Sequence, residues 1–335
     1  MANVDYGQIL KRSKVLVFRE RWLWVYGLIL AAMGGGSSGS GGSSSPSSNS
    51  NKDKVIQELP KNLPDKVNEV LGAATTAITD WFYSVPVGTW ILIGVGILLL
   101  ILAGIAFSMF VKNWAKGALI FGLDEADSER PAKLATTSAR GIDTVKPLIF
   151  LGIRVTIIVL GVLLAVLLLF GLGFAVFSQS KAGMIIWGLT IGLLGLGIVL
   201  ATIILTGFAS IYAERLIVLA GFSAKDAFGK AFGLAKGNFF PTLVMGIINS
   251  AIGCAVGCVG MLLAGVVLGI PGAVIIVPAF AQGFHMPSVP ALIVLAILFF
   301  IFIQFNVLVS AGMVVFNTSN WNIFVKEILK QEEKK

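Results

Sequence analysis

The stretch "AKDAFGKAFGLAKGNFFPTL", residues 224–243, separates two long apolar runs of a 335-residue chain. At about 100° per residue, its small apolar and aromatic residues occupy one half of a helical wheel. Its glycines and the lysines Lys225, Lys230 and Lys236 occupy the other half. The pattern predicts an amphipathic helix in a membrane interface, with its rings towards the acyl chains and its lysines towards headgroups and cytoplasm.

The ends of this helix are also encoded in the sequence. Ser223 precedes it and Asp226 follows three residues later, which is a capping box with Asp in place of the usual Glu. Pro241 predicts a break in the helix at the point where the chain enters the next apolar run.

The composition of the whole chain predicts a membrane protein. Hydrophobic residues make up 56% and charged residues 13%, whereas about a quarter of the residues of a soluble domain are charged. Charge-free apolar runs recur, and about 18 such residues can form a helix across the roughly 30 Å bilayer core. The chain is therefore predicted to be one all-α integral membrane domain, residues 1–335.

Six transmembrane helices are predicted, at residues 22–33, 87–111, 147–177, 183–212, 242–268 and 291–316. The first can also be interpreted as a signal peptide, because "AAMGGG" offers small residues at a cleavage point. The proline-rich residues 271–290 contain too few polar residues for a free loop, so they are interpreted as a re-entrant or interfacial segment.

The segments outside these spans have distinct compositions. Residues 34–53 are rich in Gly and Ser and predict a flexible outer loop. Residues 64–84 predict a helix on the outer membrane surface, ending in "WFY" at headgroup level, or else a solvated linker helix. Residues 317–335 predict a cytoplasmic tail.

The net charge of +8 indicates topology and not nucleic-acid binding. The segments between spans one and two, three and four, and five and six contain equal numbers of basic and acidic residues. The whole excess therefore lies on the other side, together with both termini. By the positive-inside tendency, that side is the cytoplasm. The expected location is the plasma or inner membrane.

Three pseudo-repeats are predicted, at residues 5–111, 128–213 and 223–316. Each consists of a cytoplasmic-side amphipathic helix, a span in, an outer connection and a span out. "PLIFLGI" at 147–153 matches "PTLVMGI" at 241–247, and the exit motif "WAKGALI" at 114–120 matches "YAERLIV" at 212–218.

The N-terminus has the same amphipathic pattern in "YGQILKRSKVLVFRER". Its basic residues Lys11, Arg12 and Lys14, like those of residues 224–237, are candidate contacts for anionic lipid headgroups. Each such contact is worth about 1 kcal/mol near the surface.

The stretches "YGQILKRS…RERWLWVYGLIL" and "YAERLIVLAGFSAKDAFGKAFGLAKGNFFPTL" resemble the glycerophosphoryl diester phosphodiesterase membrane domain and related bacterial multi-pass families. The resemblance covers most of the chain and implies a fold. It implies no phosphodiesterase activity, because the separate catalytic barrel with His and carboxylate metal ligands has no counterpart in this sequence.

The sequence predicts no catalytic, cofactor or metal site. The single histidine, His285, has no nearby ligand partner and is a poor general base. Cys254 and Cys258 share one helix face inside an apolar run and are interpreted as packing residues. The acidic stretch "GLDEADSER", residues 122–130, is interpreted as a solvated cytoplasmic loop whose acids pair with nearby basic residues.

Ionisable residues are absent from the central part of every predicted span. Arg154 comes closest, about two turns into span three, and is expected to snorkel back towards the basic side. Ion-coupled carriers usually need buried ionisable groups, so this absence argues against a coupled transporter.

The neutral polar residues Asn249, Gln304 and Asn306 lie within the spans. Interhelical hydrogen bonds of this kind average about 0.6 kcal/mol, so packing is their default role. The sequence thus favours a non-enzymatic scaffold or lipid-interacting protein. The alternative is a channel or permease for a neutral or amphipathic solute, lined by these three residues.

Small residues at four-residue spacing predict close helix contacts. They are Gly188 and Gly192 in span four, and Gly246, Ser250, Gly253 and Gly257 in span five. We expect spans four and five to touch each other, or one of them to form a subunit contact in a homo-oligomer.

Overall fold

The computed structural model describes residues 4–34, 86–130, 133–177, 180–281 and 289–334. These residues are almost entirely helical and contain no strand, which confirms the all-α prediction. The helices are α1 (Tyr6–Arg19), α2 (Trp24–Ala32), α3 (Val87–Asp127), α4 (Leu134–Val176), α5 (Lys181–Ala220), α6 (Ala224–Gly237), α7 (Phe239–Ala264), α8 (Ile270–Ala281) and α9 (Val289–Glu332). A 3₁₀ turn, Arg21–Leu23, joins α1 to α2, and a π-helical segment, Gly265–Gly269, joins α7 to α8.

The chain forms two compact units. The larger comprises Met1–Ser40 and Met109–Lys335, and the smaller comprises Gly41–Ser108. The described part of the smaller unit is residues 86–108, which are mainly the N-terminal half of α3. The sites below all lie in the larger unit.

Five helices are long and apolar enough to cross a membrane: Gly88–Asp127, Leu134–Phe174, Lys181–Ala220, Phe239–Ile275 and Pro290–Glu332. They indicate a multi-pass integral membrane protein. The first predicted span, residues 22–33, is helical but forms part of a short apolar helix, Arg21–Ala32. Its role as a membrane span stays a prediction.

The long helices exceed the thickness of a membrane. The 43 residues of α4 extend over about 65 Å at 1.5 Å per residue, about twice the 30 Å bilayer core. Four of the long helices lie wholly in the larger unit, and each contains an apolar stretch of 18 residues. At most 6% of such a stretch is buried inside the protein. The buried residues lie elsewhere along these helices.

Of the residues whose burial the structure describes, all the buried ones except Gly173 and Gly195 fall in residues 4–30, 115–151, 206–245 and 311–328. We call this region the collar. It consists of α1, α2, α6 and the polar ends of α3, α4, α5, α7 and α9. The protein therefore has a packed core in the collar, and apolar helical surface outside it.

Two apolar clusters form the collar core. In one cluster, Tyr212, Ile217 and Phe324 pack with Ala227 and Phe228 of α6. In the other, side chains of α2 pack with the ends of α3 and α9, and Tyr26 meets Trp114 edge-on with 5.7 Å between ring centroids.

The boundaries of α6 agree with the sequence. The Ser223 side chain caps its N-terminus by accepting a hydrogen bond from the Asp226 N–H at 3.3 Å, which confirms the predicted cap. Gly221, with φ of 69°, provides the left-handed turn after α5. The break before α7 falls at Asn238, which places Pro241 in the first turn of α7, where its missing N–H leaves no bond unmade.

Three other segments differ from expectation. Pro147 lies inside α4, so the predicted amphipathic helix and span three form one continuous helix. The helix after span five continues past Pro271 to Ala281, so residues 271–281 of the proposed re-entrant segment are helical. The predicted tail, residues 317–332, continues α9 and packs in the collar.

Several predicted features lie outside the described residues. They are the outer loop at 34–53, apart from its first residue, the outer helix at 64–84, and residues 282–288 with His285.

Gly27 allows α2 to approach α9. A Cβ built on Gly27 would lie 2.6 Å from the Ala311 carbonyl oxygen and 2.7 Å from Val315 Cγ2. By contrast, a Cβ on Gly253 of α7 would meet no heavy atom within 4 Å. The two glycines therefore form a matched pair for a packing test.

We expect Gly27→Ala to lower the stability of the purified protein by about 1–3 kcal/mol, because the added methyl group overpacks the contact between α2 and α9. Gly253→Ala should be neutral or slightly stabilising, since Ala is the better helix former. Thermal unfolding in detergent measures both. Equal stability of the two variants would contradict the packing of α2 against α9.

Candidate functional site

The centre of the collar is a buried polar cluster around Arg215. Its side chain is 3% exposed. Nε donates to Asn322 Oδ1 at 3.1 Å, and Nη1 donates to the Ile211 carbonyl at 3.0 Å. Nη1 also donates to Glu214 Oε2 at 3.2 Å. Arg215 of α5 is thus tied to α9 through Asn322.

The same cluster connects α3 to both other helices. Lys116 of α3 forms an ion pair with Glu214 of α5. Asn322 of α9 donates from Nδ2 to the Ile120 carbonyl of α3 at 3.0 Å. Polar contacts therefore join the ends of α3, α5 and α9 in all three pairings. Because removal of one member leaves a buried charge unpaired, this cluster strongly constrains how the three helices pack.

Sequence reasoning did not single out Lys116, Glu214 or Asn322. One signal for the first two was present, because the match of "WAKGALI" with "YAERLIV" places Lys116 opposite Glu214. Opposite charges at equivalent positions of two exit helices are what a direct ion pair between those helices requires. Asn322 had no comparable signal.

The acidic residues at the end of α3 tie it to α1 and α9. Asp127, whose side chain is 7% exposed, forms ion pairs with Arg12 at 2.7 Å and with Lys326 at 3.1 Å. Asp124 also pairs with Lys326. The expected pairing with basic residues is confirmed for Asp124 and Asp127. The expectation of a loop is wrong for residues 122–127, because these contacts hold them in the helix.

The predicted headgroup contacts fall into two groups. Arg12 is half-exposed and paired with Asp127. The other five residues have exposed positions on α1 and α6, and no ion pair joins them to an acidic residue in the part of the chain that the structure describes. They are Lys11, Lys14, Lys225, Lys230 and Lys236.

The apolar face of α6 is covered by protein. Ala227, Phe228, Ala231 and Ala235 are buried in the collar core. Phe232 remains 37% exposed. Most of the face that the sequence analysis directed towards acyl chains thus packs inside the collar, while the lysines lie on the exposed side.

A second polar contact connects α1, α5 and α7. The hydroxyls of Tyr212 and Thr242 are 2.7 Å apart, and Thr242 Oγ1 donates to the Asn238 carbonyl at 2.7 Å. The Tyr6 hydroxyl donates to the Pro241 carbonyl at 3.3 Å. Burial raises the pKa of Tyr6 above its usual value of 10.0.

The predicted contact between spans four and five is present at one glycine only. A Cβ on Gly246 would lie 3.6 Å from the Phe208 ring of α5. Cβ atoms on Gly188, Gly253 and Gly257 would meet no heavy atom of the described chain within 4 Å.

The three neutral polar residues are not brought together. Asn249 Oδ1 accepts a hydrogen bond from Nδ2 of the collar residue Asn320 at 2.8 Å. Gln304 is exposed and Asn306 is half-buried; two residues apart, they lie on nearly opposite faces of α9. The three residues were grouped in the sequence analysis because all are polar and neutral, without regard to which face of its helix each one occupies.

Asn306 lies beside an open surface cavity of about 240 Å³ between α2 and α9. The lining residues are Ala31, Phe299, Phe302, Ile303, Asn306, Val307 and Ser310. Asn306 Nδ2 donates to the Phe302 carbonyl of its own helix at 2.9 Å. The cavity is mainly apolar, with one amide and one hydroxyl in its wall.

Within the described ranges, no group of three or more His, Cys, Asp and Glu side chains could hold a metal ion. Cys254 and Cys258 are exposed and form no disulfide. Comparison of the chain with known protein families, with curated proteins and with solved structures finds no match in any of the three.

We expect Glu214→Gln to destabilise the purified protein by about 3 kcal/mol, because Lys116 and the buried Arg215 lose their carboxylate. Glu333→Gln removes the same charge at an exposed position and should change stability by no more than about 0.5 kcal/mol. Thermal unfolding of both variants in one detergent measures the difference. A Glu214→Gln protein as stable as Glu333→Gln would contradict the role of the buried cluster.

Proposed function

We propose that the chain is a non-enzymatic membrane protein that binds anionic lipid through the basic surface of its collar and serves as a membrane scaffold. The observation that carries this proposal is the set of exposed lysines on α1 and α6 that form no ion pair with any acidic residue the structure describes. Basic groups at an anionic membrane surface contribute about 1 kcal/mol each. Because the apolar face of α6 packs into protein, these lysines have a fixed position on the collar.

The proposed fold has six spans, with α2 as the first. Gly27 packs α2 directly against α9, a helix long enough to span. A helix as short as Arg21–Ala32 can cross a bilayer that thins locally around it. The observed packing and this adaptation are compatible with a sixth span.

The proposed pseudo-repeat is supported by burial at aligned positions. Pairing Pro147 with Pro241 aligns the starts of spans three and five to within one residue. The aligned pairs Thr144 and Asn238, Leu148 and Thr242, and Leu151 and Met245 are all buried. Equivalent positions of two repeats thus face the collar core.

The proposed localisation is the plasma or inner membrane, with α1, α6 and both termini on the cytoplasmic side. The charge distribution supports it through the positive-inside tendency. The ion pairs of Asp127 with Arg12 and Lys326 also join α1 to the C-terminal turns of α9. Both ends of the chain therefore belong to one collar.

We also propose a distant relation to the glycerophosphoryl diester phosphodiesterase membrane domain. The exit motif at 212–218, followed by the capped helix α6, supports it. A homo-oligomer is a further proposal, for which Gly188, Gly253 and Gly257 offer open, small-residue helix surface. Nucleic acid is not among the proposed partners.

We expect reversal of Lys225, Lys230 and Lys236 to Glu to lower the ratio of phosphatidylglycerol to phosphatidylcholine co-purified from mixed bilayers by at least about threefold. The charge-matched control reverses Lys52, Lys54 and Lys61 in the predicted outer segment. Lipid mass spectrometry of the purified proteins measures the ratio. An unchanged ratio in the α6 variant would contradict the lipid-binding role of the collar.

The cavity beside Asn306 favours one alternative, a permease for a small neutral solute. Its volume of about 240 Å³ is near the lower limit of known ligand pockets, which begin at about 300 Å³. An amide and a hydroxyl in an apolar wall suit a neutral hydrogen-bonding solute. The absence of a contact between Asn306 and Gln304 or Asn249 argues against a continuous polar path.

If this alternative holds, proteoliposomes should take up urea or glycerol faster than protein-free liposomes in stopped-flow light scattering. Asn306→Phe, which fills the cavity, should then abolish the difference. The control Gln304→Phe changes the exposed face of the same helix and should leave uptake unchanged. Equal rates with and without the wild-type protein would reject the permease for these solutes.

A further inference from the structure

Arg154 lies at the edge of the apolar span of α4. Residues 155–176, which complete the helix, contain no charged residue. Their length is about 33 Å at 1.5 Å per residue, close to the thickness of the bilayer core. If these residues cross the core, the guanidinium lies at headgroup level on the side of the collar.

Arg154 is held there by α6. Its guanidinium carbon lies 5.4 Å from the centroid of the Phe228 ring, which is 7% exposed. Neighbouring residues Val155 and Ile158 pack against the collar core that includes Phe228. A cation over an aromatic face is attracted by the ring, and its N–H edge stays available to a hydrogen-bond acceptor.

No ion pair joins Arg154 to an acidic residue within the described part of the chain. On α6, Asp226 accepts a hydrogen bond from the Ser223 hydroxyl at 2.7 Å. On α5, Glu214 is paired with Lys116 and Arg215. On α4 itself, the nearest acid is eleven residues away at Asp143, about 16 Å along the axis.

Below Arg154, the same face of α4 is apolar and open. Ile157, Leu164 and Leu168 are 63%, 57% and 60% exposed. Gly161, between them, has no heavy atom within 4 Å of a built Cβ. Because Gly161 has no side chain, it leaves a shallow depression between Ile157 and Leu164, and this open apolar face is a surface on which a hydrocarbon chain can pack.

We infer that Arg154 binds the phosphate of a single phospholipid at the junction of α4 and α6, with one acyl chain lying along Ile157, Gly161 and Leu164. A guanidinium can donate two parallel hydrogen bonds to a phosphate, and Arg is favoured for this geometry. The inference rests on the membrane placement and lipid binding proposed above, but it does not involve the lysines of α6.

Free phosphate offers the same chemistry as the lipid headgroup. The apolar depression next to the guanidinium favours the lipid, because it supplies a surface for the acyl chain that inorganic phosphate lacks. Phosphatidylcholine and diacylglycerol with the same chains differ in the phosphate-containing headgroup. They therefore separate the contribution of the headgroup from that of the chains.

The test is native mass spectrometry of the full chain in detergent, titrated with phosphatidylcholine or with diacylglycerol. We expect the wild type to retain one phosphatidylcholine in preference to diacylglycerol. Arg154→Gln should weaken this retention by about tenfold or more, the usual effect of losing a hydrogen bond to a charged group. Arg140→Gln is the matched control, since Arg140 also stacks on a ring, Phe121, at 5.9 Å, but lies before the span.

A second variant tests the chain-binding face without removing the cation. Gly161→Leu fills the depression at a position with open space, so it should fold normally and still weaken retention of phosphatidylcholine. Reversal of Lys225, Lys230 and Lys236 should lower anionic-lipid enrichment but leave the single phosphatidylcholine bound. The proposal that the α6 lysines bind anionic lipid and the proposal of a phospholipid site at Arg154 can therefore fail separately.

The inference is overturned if Arg154→Gln retains phosphatidylcholine as the wild type does, or if diacylglycerol binds equally well. Displacement of the lipid by millimolar inorganic phosphate would assign Arg154 to free phosphate and reject the lipid. If Arg154→Gln fails to fold, the wild-type preference between the two lipids and the Gly161→Leu result decide the question.

Discussion

The packing of the collar depends on the ion pairs that Glu214 forms with Lys116 and Arg215. Arg215 is almost fully buried, and Glu214 is the carboxylate beside it. Asn322 completes the cluster by accepting from Arg215 and donating to the Ile120 carbonyl. A buried charge is costly unless it is paired, so few other arrangements of α3, α5 and α9 satisfy these groups. The apolar clusters of α1, α2 and α6 then pack around this fixed centre.

The positions of the long helices are set by packing in the collar and not by packing between their apolar spans. Between helices in lipid there is little hydrophobic driving force, because acyl chains are as apolar as the side chains. In the larger unit, the apolar stretches of the long helices are accordingly almost fully exposed on the protein surface. In water, burial of apolar residues is favourable. Nearly all of the buried residues that the structure describes lie in the collar, which contains α1, α6 and the polar ends of the long helices. The collar thus sets the position of each helix, and lipid covers the rest.

The features that could be predicted from the sequence are those that depend on local interactions. The amphipathic pattern, the Ser223 cap and the break near Pro241 each involve residues within about one helical turn, and α6 has these boundaries. The acidic end of α3 was predicted as a loop because its helix depends on Arg12 and Lys326, which are distant in sequence. The contact of Arg215 with Asn322 spans 107 positions, so no local pattern could indicate it. Gln304 and Asn306 were grouped by polarity, although two positions on a helix point apart.

The central claim is that α1, α6 and the C-terminal turns of α9, which are the collar elements outside the proposed spans, lie on the side of the membrane opposite the glycine-serine segment at 34–53. Single cysteines at Lys236→Cys and Ser44→Cys, in a chain with Cys254→Ser and Cys258→Ser, test it with a membrane-impermeant maleimide on intact cells. We predict that Ser44→Cys is labelled directly and that Lys236→Cys is labelled only after the membrane is permeabilised. Labelling of both positions from the same side would contradict the account.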